Sequence, residues 1–449
     1  MKLTGHRSLT LLATVLAISV INSCSDDKNP IAPKDATAYQ AQVAISWFQL
    51  TYNLVKAQSV PPPPASRIYG YAGVTLYEAL VPGMPGYNSL VGQLNGLSSL
   101  AKTNQQFAAT AVEEFHWPTV ANNAMATILR NFFSNGNATT LASISTLQDS
   151  LNNLYDDSVT CEVFERSVER GKLIAVDIFS WALDDGFPQY NSCAFTPPVG
   201  PGKWIPTPPA FAGALQPCWG ELRPFAITDG STCNAPAPPT YDETPSSPFY
   251  LEMMEVYDTV QTLNAAESTI AIYWADNPGQ TGTPPGHSIS ITGQVLMQEN
   301  SSLAVAAEAY AKVGIGVADA FISCWWTKYN YNYLRPVTAI RTLVNPSWLS
   351  PIATPPFPEY TSGHSVQSGA TAEILTDLFG AKYIFTDHTH DALGFIPRSF
   401  NSFYEAADEA AISKLYGGIH FRSAIDLGVA QGTCVGQQVL ANLVFRNPI

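Results

Sequence analysis

The chain has 449 residues and a formal net charge of −14 at pH 7, with only 22 lysines and arginines. Such a composition offers no broad basic surface, so we expect no nucleic-acid partner. Hydrophobic residues make up 46% of the chain, enough for the core of two modest domains or one large helical one.

Residues 1–24 have the pattern of an export signal. A positively charged start precedes the apolar stretch Leu9 to Ile21, which is too short to span a bilayer. The stretch ends in Ile21-Asn-Ser-Cys24, which resembles a bacterial lipobox. This resemblance predicts an exported bacterial lipoprotein, lipidated at Cys24, that contacts a membrane through its lipid anchor only. Residues 25–36 would form a polar tether. The alternative is an ordinary signal peptide cleaved nearby.

Residues 37–186 have the apolar periodicity of a helical region. The prolines Pro61 to Pro64 should end the first helix. We interpret Arg67 and Glu78 on the second helix as a structural ion pair or as solvated charges. The predicted helices are Tyr39–Ala57, Ala65–Leu80, Gln105–Phe115, Ala121–Phe133, Leu141–Tyr155 and Glu162–Leu183.

Residues 187–248 form a long segment rich in proline, glycine and aromatic residues. Two interpretations remain open, a lid or wall over a pocket and a wrap that covers the helices with aromatic anchors. In an oxidising compartment we predict a disulfide between Cys218 and Cys233, which bracket part of this loop. The other cysteines are expected to be buried thiols, with Cys324 on an apolar helix face.

Residues 249–449 contain three clusters of oxyanion-binding residues. Lys328 and Arg335, like Lys414, donate hydrogen bonds and accept none. In Ser362-Gly363-His364, a hydroxyl is followed by a glycine that lets a backbone N–H approach an anion. Helical periodicity follows both His364 and His420, which predicts that two helix N-termini face one anion. Two further helices are predicted, at Leu251–Trp274 and Leu303–Trp326.

The order and spacing of these clusters resemble the signature of the vanadium-dependent haloperoxidase and type 2 phosphatidic acid phosphatase superfamily. The resemblance implies an all-α fold with two related four-helix bundles. It implies a vanadate cofactor whose vanadium binds His420, with the other residues of the clusters neutralising its oxygens. Hydrogen peroxide and halide would be the substrates, His364 would handle the proton and Lys328 would polarise the peroxide.

The same resemblance assigns three more residues. Trp325 and Phe357 match positions that line the halide pocket of haloperoxidases. Asp276 matches an aspartate that hydrogen-bonds the catalytic histidine, and a helix-capping role is its alternative. Because no other apolar run is long enough to span a membrane, the multi-span lipid phosphatases of the superfamily are a poor match.

Three other histidines receive no functional role. His287 is interpreted as a structural loop histidine. His388 and His390 lie close to two aspartates, but we favour an exposed polar loop over a metal site there.

The chain departs from the superfamily pattern at two positions. Lys414 stands where arginine is usual, and Ala424 stands where an aspartate usually follows the last histidine. Asp426 falls on roughly the opposite helix face, so another group must hold the ring of His420.

Two alternative functions remain open. In a soluble acid phosphatase, His420 would attack the phosphorus of a phosphate ester, and His364 would protonate the leaving alcohol. The third possibility is a catalytically silent, anion-binding lipoprotein.

Overall fold

The computed structural model describes residues 34–107 and 114–447. The predicted export signal, Cys24 and most of the predicted tether lie outside these residues, as does most of the predicted helix Gln105–Phe115. No helix in the described part of the chain is both long enough and apolar enough to cross a membrane.

The described residues confirm the all-α fold. Their helices are α1 (Gln42–Ala57), α2 (Pro62–Leu80), α3 (Ala101–Gln106), α4 (Trp117–Phe132), α5 (Ala138–Asp156), α6 (Cys161–Leu183), α7 (Phe187–Tyr190), α8 (Pro248–Thr262), α9 (Ala265–Tyr273), α10 (Thr283–Gln298), α11 (Leu303–Tyr331), α12 (Pro336–Leu343), α13 (Gly363–Phe379), α14 (Phe403–Tyr416) and α15 (Arg422–Asn442). Strands β1 (Phe385–Asp387) and β2 (Arg398–Phe400) form one antiparallel pair in which Phe385 faces Phe400.

Several helix boundaries differ from the predictions, and two of the differences have a clear cause in the sequence. Pro62 to Pro64 form the first turn of α2, where a residue without an N–H is tolerated. The helix predicted at Leu251–Trp274 is two helices, α8 and α9. Asn264 begins the second one through a capping box with Glu267, so a polar residue inside an apolar pattern marks a helix start.

Helix α11 is the central element of the fold. It has 29 residues, begins at the N-cap Ser302 and is buried over most of its length. It packs against α2 from the N-terminal half of the chain and against α13 and α15 from the C-terminal half of the chain. Lys328 lies in its last turn, so the helix delivers this lysine to the centre of the C-terminal half.

Helices α13 and α15 pack closely because glycines remove side chains from their interface. A Cβ at Gly432 would lie 1.9 Å from the carbonyl oxygen of Val366, and one at Gly428 would lie 2.8 Å from Ser365. The N–H of Ser362 donates to the carbonyl of Ala424 at 2.9 Å, which ties the starts of the two helices together. This contact places the start of α13, which carries His364, beside the start of α15, which His420 precedes by two residues.

The prediction that Arg67 and Glu78 pair or are solvated is wrong. Both are buried, and each has other partners. The Nε of Arg67 donates to Asp185 at 2.6 Å. Glu78 accepts from the N–H of Leu90 at 2.6 Å and from Ser89 at 2.8 Å.

The predicted disulfide between Cys218 and Cys233 is also wrong. The structure pairs Cys193 with Cys218 and Cys233 with Cys434. The second bridge joins the Pro-rich segment to α15 across 201 residues, a contact that only the folded helices create. Cys324 is a buried thiol, as predicted, and Cys161 is partly buried.

Candidate active site

A cavity of about 290 Å³ lies against the N-termini of α13 and α15. Trp325 and Phe357 line it, as predicted for a halide pocket, with ring centroids 4.9 Å apart. Leu215 of the Pro-rich segment also lines it, and its carbonyl accepts from the hydroxyl of Tyr329 at 2.6 Å. This part of the segment therefore forms a wall of the cavity. Other lining residues include Asp276, Phe321, Gly363, His364, Ile419 and His420.

Arg335 is fully buried and keeps one free donor group. Its Nε donates to the carbonyl of Phe357 at 3.0 Å, and its Nη1 donates to that of Ile419 at 2.9 Å. Its Nη1 also lies 3.3 Å from Nε2 of His420. Its Nη2 has no hydrogen-bond partner among the described residues. A buried guanidinium with a spare N–H beside a histidine is suited to bind an oxyanion.

The ammonium group of Lys328 holds the loop that precedes α13. It donates to the carbonyls of Pro358 at 3.1 Å, Glu359 at 2.9 Å and Thr361. Burial lowers its pKa to about 8. All three of its donor positions thus go to backbone, so Lys328 fixes the loop as well as adding positive charge.

Lys414 is fully buried and donates to the carbonyl of Trp274. Burial lowers its pKa to about 7, although the nearby carboxylate of Asp276 opposes this shift. A bound anion would favour the charged form of this lysine.

Glu359 orients His420, a role that the sequence left to an unnamed group. The Nδ1 of His420 lies 2.7 Å from Oε1 of Glu359, and the same oxygen accepts from the N–H of Phe421 at 2.9 Å. Nδ1 therefore carries the proton, and the lone pair of Nε2 points toward Arg335. Asp426 instead lies 4.0 Å from Arg422, which confirms that it does not hold the ring.

Burial sets the charge states of this pair. Burial, followed by Arg335 and Lys328, holds the pKa of His420 well below its ordinary value. Burial raises the pKa of Glu359 to about 8, although both cations oppose that rise. A neutral His420 keeps its Nε2 free to act as a ligand or a nucleophile.

Ser362, Gly363 and His364 begin α13 as predicted. Ser362 is the N-cap, and its hydroxyl accepts from the N–H of Ser365 at 3.3 Å. The first N–H groups of the helix have no intrahelical acceptor and suit an anion. A Cβ at Gly363 would lie 3.6 Å from Trp325, so packing does not require glycine. Burial, followed by Lys414, holds the pKa of His364 well below normal, and its Nε2 has no partner among the described residues.

Asp276 does not hydrogen-bond His364, so that prediction is wrong. Its Oδ2 lies 2.9 Å from Nδ1 of His287, and its Oδ1 lies 3.2 Å from Nε2 of His390. His287 is buried within α10 and is not a loop histidine. Although burial alone would lower it, the carboxylates of Asp276 and Asp387 raise the pKa of His287 to about 10.

The expectation of an exposed loop holds for one of the other two histidines. His388 is exposed and lies 2.9 Å from Asp391. His390 is buried, with 1% of its surface exposed, because its ring packs edge-on against Tyr273. No pattern in the sequence distinguishes the two residues, since both lie in the same short polar stretch.

The residues present fit a tetrahedral oxyanion such as vanadate. Three buried cations, Lys328, Arg335 and Lys414, lie near the two histidines that line the cavity, and Arg335 Nη2 and His364 Nε2 are buried without hydrogen-bond partners among the described residues. Such orphaned groups are rare in folded proteins unless a ligand satisfies them. His420 adds a neutral nitrogen, Nε2, whose lone pair faces Nη1 of Arg335 at 3.3 Å.

A crystal structure described as the first bacterial vanadium-dependent iodoperoxidase has the same architecture. It matches with a TM-score of 0.83 and 34% sequence identity, over 94% of this chain and 99% of that one. The chain belongs to the vanadium-dependent haloperoxidase family. In this haloperoxidase-family chain, the profile of the VCPO second helical-bundle domain matches residues 308–445, which contain all three clusters.

Two further relatives are more distant from this haloperoxidase-family chain. Vanadium chloroperoxidase of Curvularia inaequalis is 24% identical, and the match spans 34% of this chain and about a third (35%) of that protein. A holo-type bacterial vanadium-dependent chloroperoxidase has a TM-score of 0.64 at 16% identity, over 86% of this chain and 94% of that one. At that identity it supports the fold alone.

Proposed function

We propose that the protein is a vanadate-dependent haloperoxidase that oxidises halide with hydrogen peroxide to hypohalous acid. The observation that carries the proposal is the arrangement around His420. Glu359 fixes its Nδ1 proton, its Nε2 lies 3.3 Å from Nη1 of Arg335, and Nη2 of the same guanidinium has no partner among the described residues. The similarity to an iodoperoxidase over nearly the whole chain supports the same conclusion.

The chain's own residues would hold the cofactor in defined ways. Nε2 of His420 would bind the vanadium, since it is the unprotonated ring nitrogen and would exchange its contact with Nη1 of Arg335 for the metal. Arg335, Lys414 and the N-terminus of α13, which includes Ser362 and Gly363, would bind the oxygens, while Lys328 adds charge from behind the loop. When bound, vanadate supplies a Lewis acid that activates peroxide, and the vanadium keeps its oxidation state.

His364 is the group that moves the proton. Forming hypohalous acid and water from halide and hydrogen peroxide consumes one proton. His364 lies in the cavity wall with its Nε2 unpartnered, and Lys414 nearby favours release of its proton. Trp325 and Phe357 would give the halide an apolar contact surface and limit water around it.

We propose iodide as the best substrate. It is the halide that is easiest to oxidise, and chloride is the hardest. Lys414 in place of arginine gives a single-point contact instead of a two-pronged one, which weakens activation of the bound anion. The similarity to a protein described as an iodoperoxidase supports the choice of iodide.

The decisive experiment compares two activities of the vanadate-free protein. One assay supplies vanadate, peroxide and iodide or bromide with a halogenation dye, and the other supplies phosphate monoesters without vanadate. We expect vanadate-dependent halogenation that phosphate suppresses, because both anions compete for the same cations. Phosphatase turnover that vanadate inhibits would overturn the proposal in favour of a phosphohistidine mechanism. Equal signals from wild type and His420→Ala in both assays would favour a silent anion-binding protein.

Binding measurements test the ligand assignment separately from turnover. Wild type should bind about one vanadate per chain, and His420→Ala should abolish binding because the vanadium ligand is lost. Ser362→Ala is the matched control, since it removes one neutral donor among several and should weaken binding much less. Unchanged affinity in His420→Ala would contradict the assignment.

We also propose that the protein is exported and anchored through a lipid on Cys24. The two disulfides, which form in oxidising compartments, support export. In a bacterial host, wild type should fractionate with membranes and take up labelled fatty acid, and Cys24→Ser should do neither. Membrane association of Cys24→Ser equal to that of wild type would contradict the anchor.

A further inference from the structure

A second cluster of ligand-type side chains lies outside the oxyanion site. Asp276 follows α9, His287 lies near the start of α10, and His390 follows β1, so three separate segments contribute. All three are buried, with at most 3% of their surface exposed. One ligand atom from each of these side chains lies within 4.8 Å of those from the other two. This is the group of three or more possible metal ligands found among the described residues.

The bonding within this cluster is incomplete. Asp276 Oδ1 and His390 Nε2 lie 3.2 Å apart but are not aligned for a hydrogen bond, and neither has a partner among the described residues. Leaving buried polar atoms without hydrogen bonds destabilises a folded protein. Both atoms carry lone pairs when the aspartate is ionised and the histidine is neutral, so one cation between them would satisfy both.

Asp387 gives the cluster the outer support that metal-binding histidines usually have. Its Oδ2 lies 2.7 Å from Nε2 of His287 and also accepts from the hydroxyl of Tyr273 at 2.6 Å. Its Oδ1 accepts from the N–H of Thr389 at 2.9 Å. If Nε2 of His287 carries the proton and donates a hydrogen bond to Asp387, Nδ1 is left as the ligand atom. A carboxylate that accepts from one ring nitrogen while the other binds the metal is the usual arrangement for metal-binding histidines.

The charges also balance for a divalent ion. Asp276 and Asp387 place two negative charges in a buried space, and two neutral histidines with one divalent cation neutralise them. Tetrahedral ligands about 2.0 to 2.1 Å from zinc lie roughly 3.3 Å from each other. Asp276 Oδ2 to His287 Nδ1 is 2.9 Å, Asp276 Oδ1 to His390 Nε2 is 3.2 Å, and the ligand atoms of the three residues all lie within 4.8 Å of one another, so the side chains would have to draw together around an ion to reach this spacing.

We propose that Asp276, His287 and His390 bind a divalent transition-metal ion, with Zn²⁺ as the best match, at a site separate from that of vanadate. Two imidazoles and one carboxylate are a ligand set that zinc accepts. None of the three residues belongs to the oxyanion-binding clusters. The ion would fix the segments that follow α9 and β1 to the start of α10, and so hold the wall of the cavity at Asp276.

The test measures metal on the full-length, vanadate-free protein. Chelator-treated protein is reloaded with Zn²⁺, passed through a desalting column and analysed by elemental mass spectrometry, and its affinity is measured against a chromophoric chelator. Wild type should retain about one Zn²⁺ per chain, and His390→Gln should retain less than about a tenth of that. His388→Gln is the matched control, because this exposed histidine lies only two residues away and should leave zinc binding unchanged.

A second variant covers the possibility that His390→Gln fails to fold. Asp387→Asn leaves all three ligands in place and should weaken zinc binding by about 10- to 100-fold. Zinc should also raise the Tm of wild type and not that of His390→Gln. Equal zinc retention by wild type and His390→Gln, or none in folded wild type, would overturn the proposal. The cluster would then be an ionic network held by protonated His287.

Discussion

Replacing Lys414 with arginine should raise vanadate affinity, by an amount that grows with pH. The pKa of buried Lys414 is about 7, so this side chain is mostly neutral in the anion-free protein above that pH. Protonating it before binding costs about 1.4 kcal/mol at pH 8 and about 2.7 kcal/mol at pH 9. Arginine stays charged throughout and avoids this cost. At pH 6 the remaining gain is at most one charge-assisted hydrogen bond, about 1.5 to 3 kcal/mol.

The assay is calorimetric titration of wild type and Lys414→Arg with vanadate from pH 6 to 9. The ratio of the two Kd values is the quantity of interest, because vanadate's own ionisation cancels in it. The ratio should rise about tenfold per pH unit above pH 7. Ser362→Ala, compared with wild type in the same way, should give a ratio that does not vary with pH. A constant ratio for Lys414→Arg would refute the reasoning. A loss of affinity at every pH would show that the contact of Lys414 with Trp274 is required.

Three further predictions follow from the same contacts. Glu359→Gln should weaken vanadate binding by about 10- to 100-fold, because an amide that can turn its NH₂ group toward Nδ1 holds His420 less firmly; titration measures this, and an unchanged Kd would contradict the orienting role. His364→Ala should lower halogenation turnover by about 10²- to 10⁴-fold while the vanadate Kd changes little, and a parallel loss of binding would make this histidine a ligand. The stability of the anion-free wild type relative to Lys414→Met should rise as pH goes from about 7 toward 10.5, because folding lowers the pKa of Lys414 and this lysine binds more protons in the unfolded chain in that window. Urea unfolding of both proteins at each pH measures the difference, and a difference that does not vary with pH would contradict the lowered pKa.

The fold and the oxyanion-binding residues were predictable because their signals are local. Helical periodicity needs only neighbouring residues, and the clusters around Lys328, Ser362 and Lys414 have fixed short spacings. Helix α9 was missed because its start depends on one capping residue, Asn264, inside a longer apolar pattern.

The partners of the site residues were not predictable because they come from distant parts of the chain. The absence of an aspartate at Ala424 showed that some group must hold His420, but Glu359 lies 61 residues before that histidine. Asp276 was assigned to the wrong histidine because its partner, His287, is fixed by a contact from far along the chain. His287 lies 11 residues after Asp276 and is also bound by Asp387, 100 residues further on. No spacing rule covers such contacts.

The bridge between Cys233 and Cys434 makes the catalytic half of the molecule a covalent ring. The residues with proposed roles in either site, from Asp276 to His420, all lie between these two cysteines. In a chain-entropy description, closing a ring of 201 residues removes about 5 kcal/mol of freedom from the unfolded chain. A protease that cuts one exposed loop within the ring would therefore leave the two fragments linked by this disulfide. Helices α13 and α15 would remain in one covalent molecule. The same cut in a reducing solution would let the fragments separate.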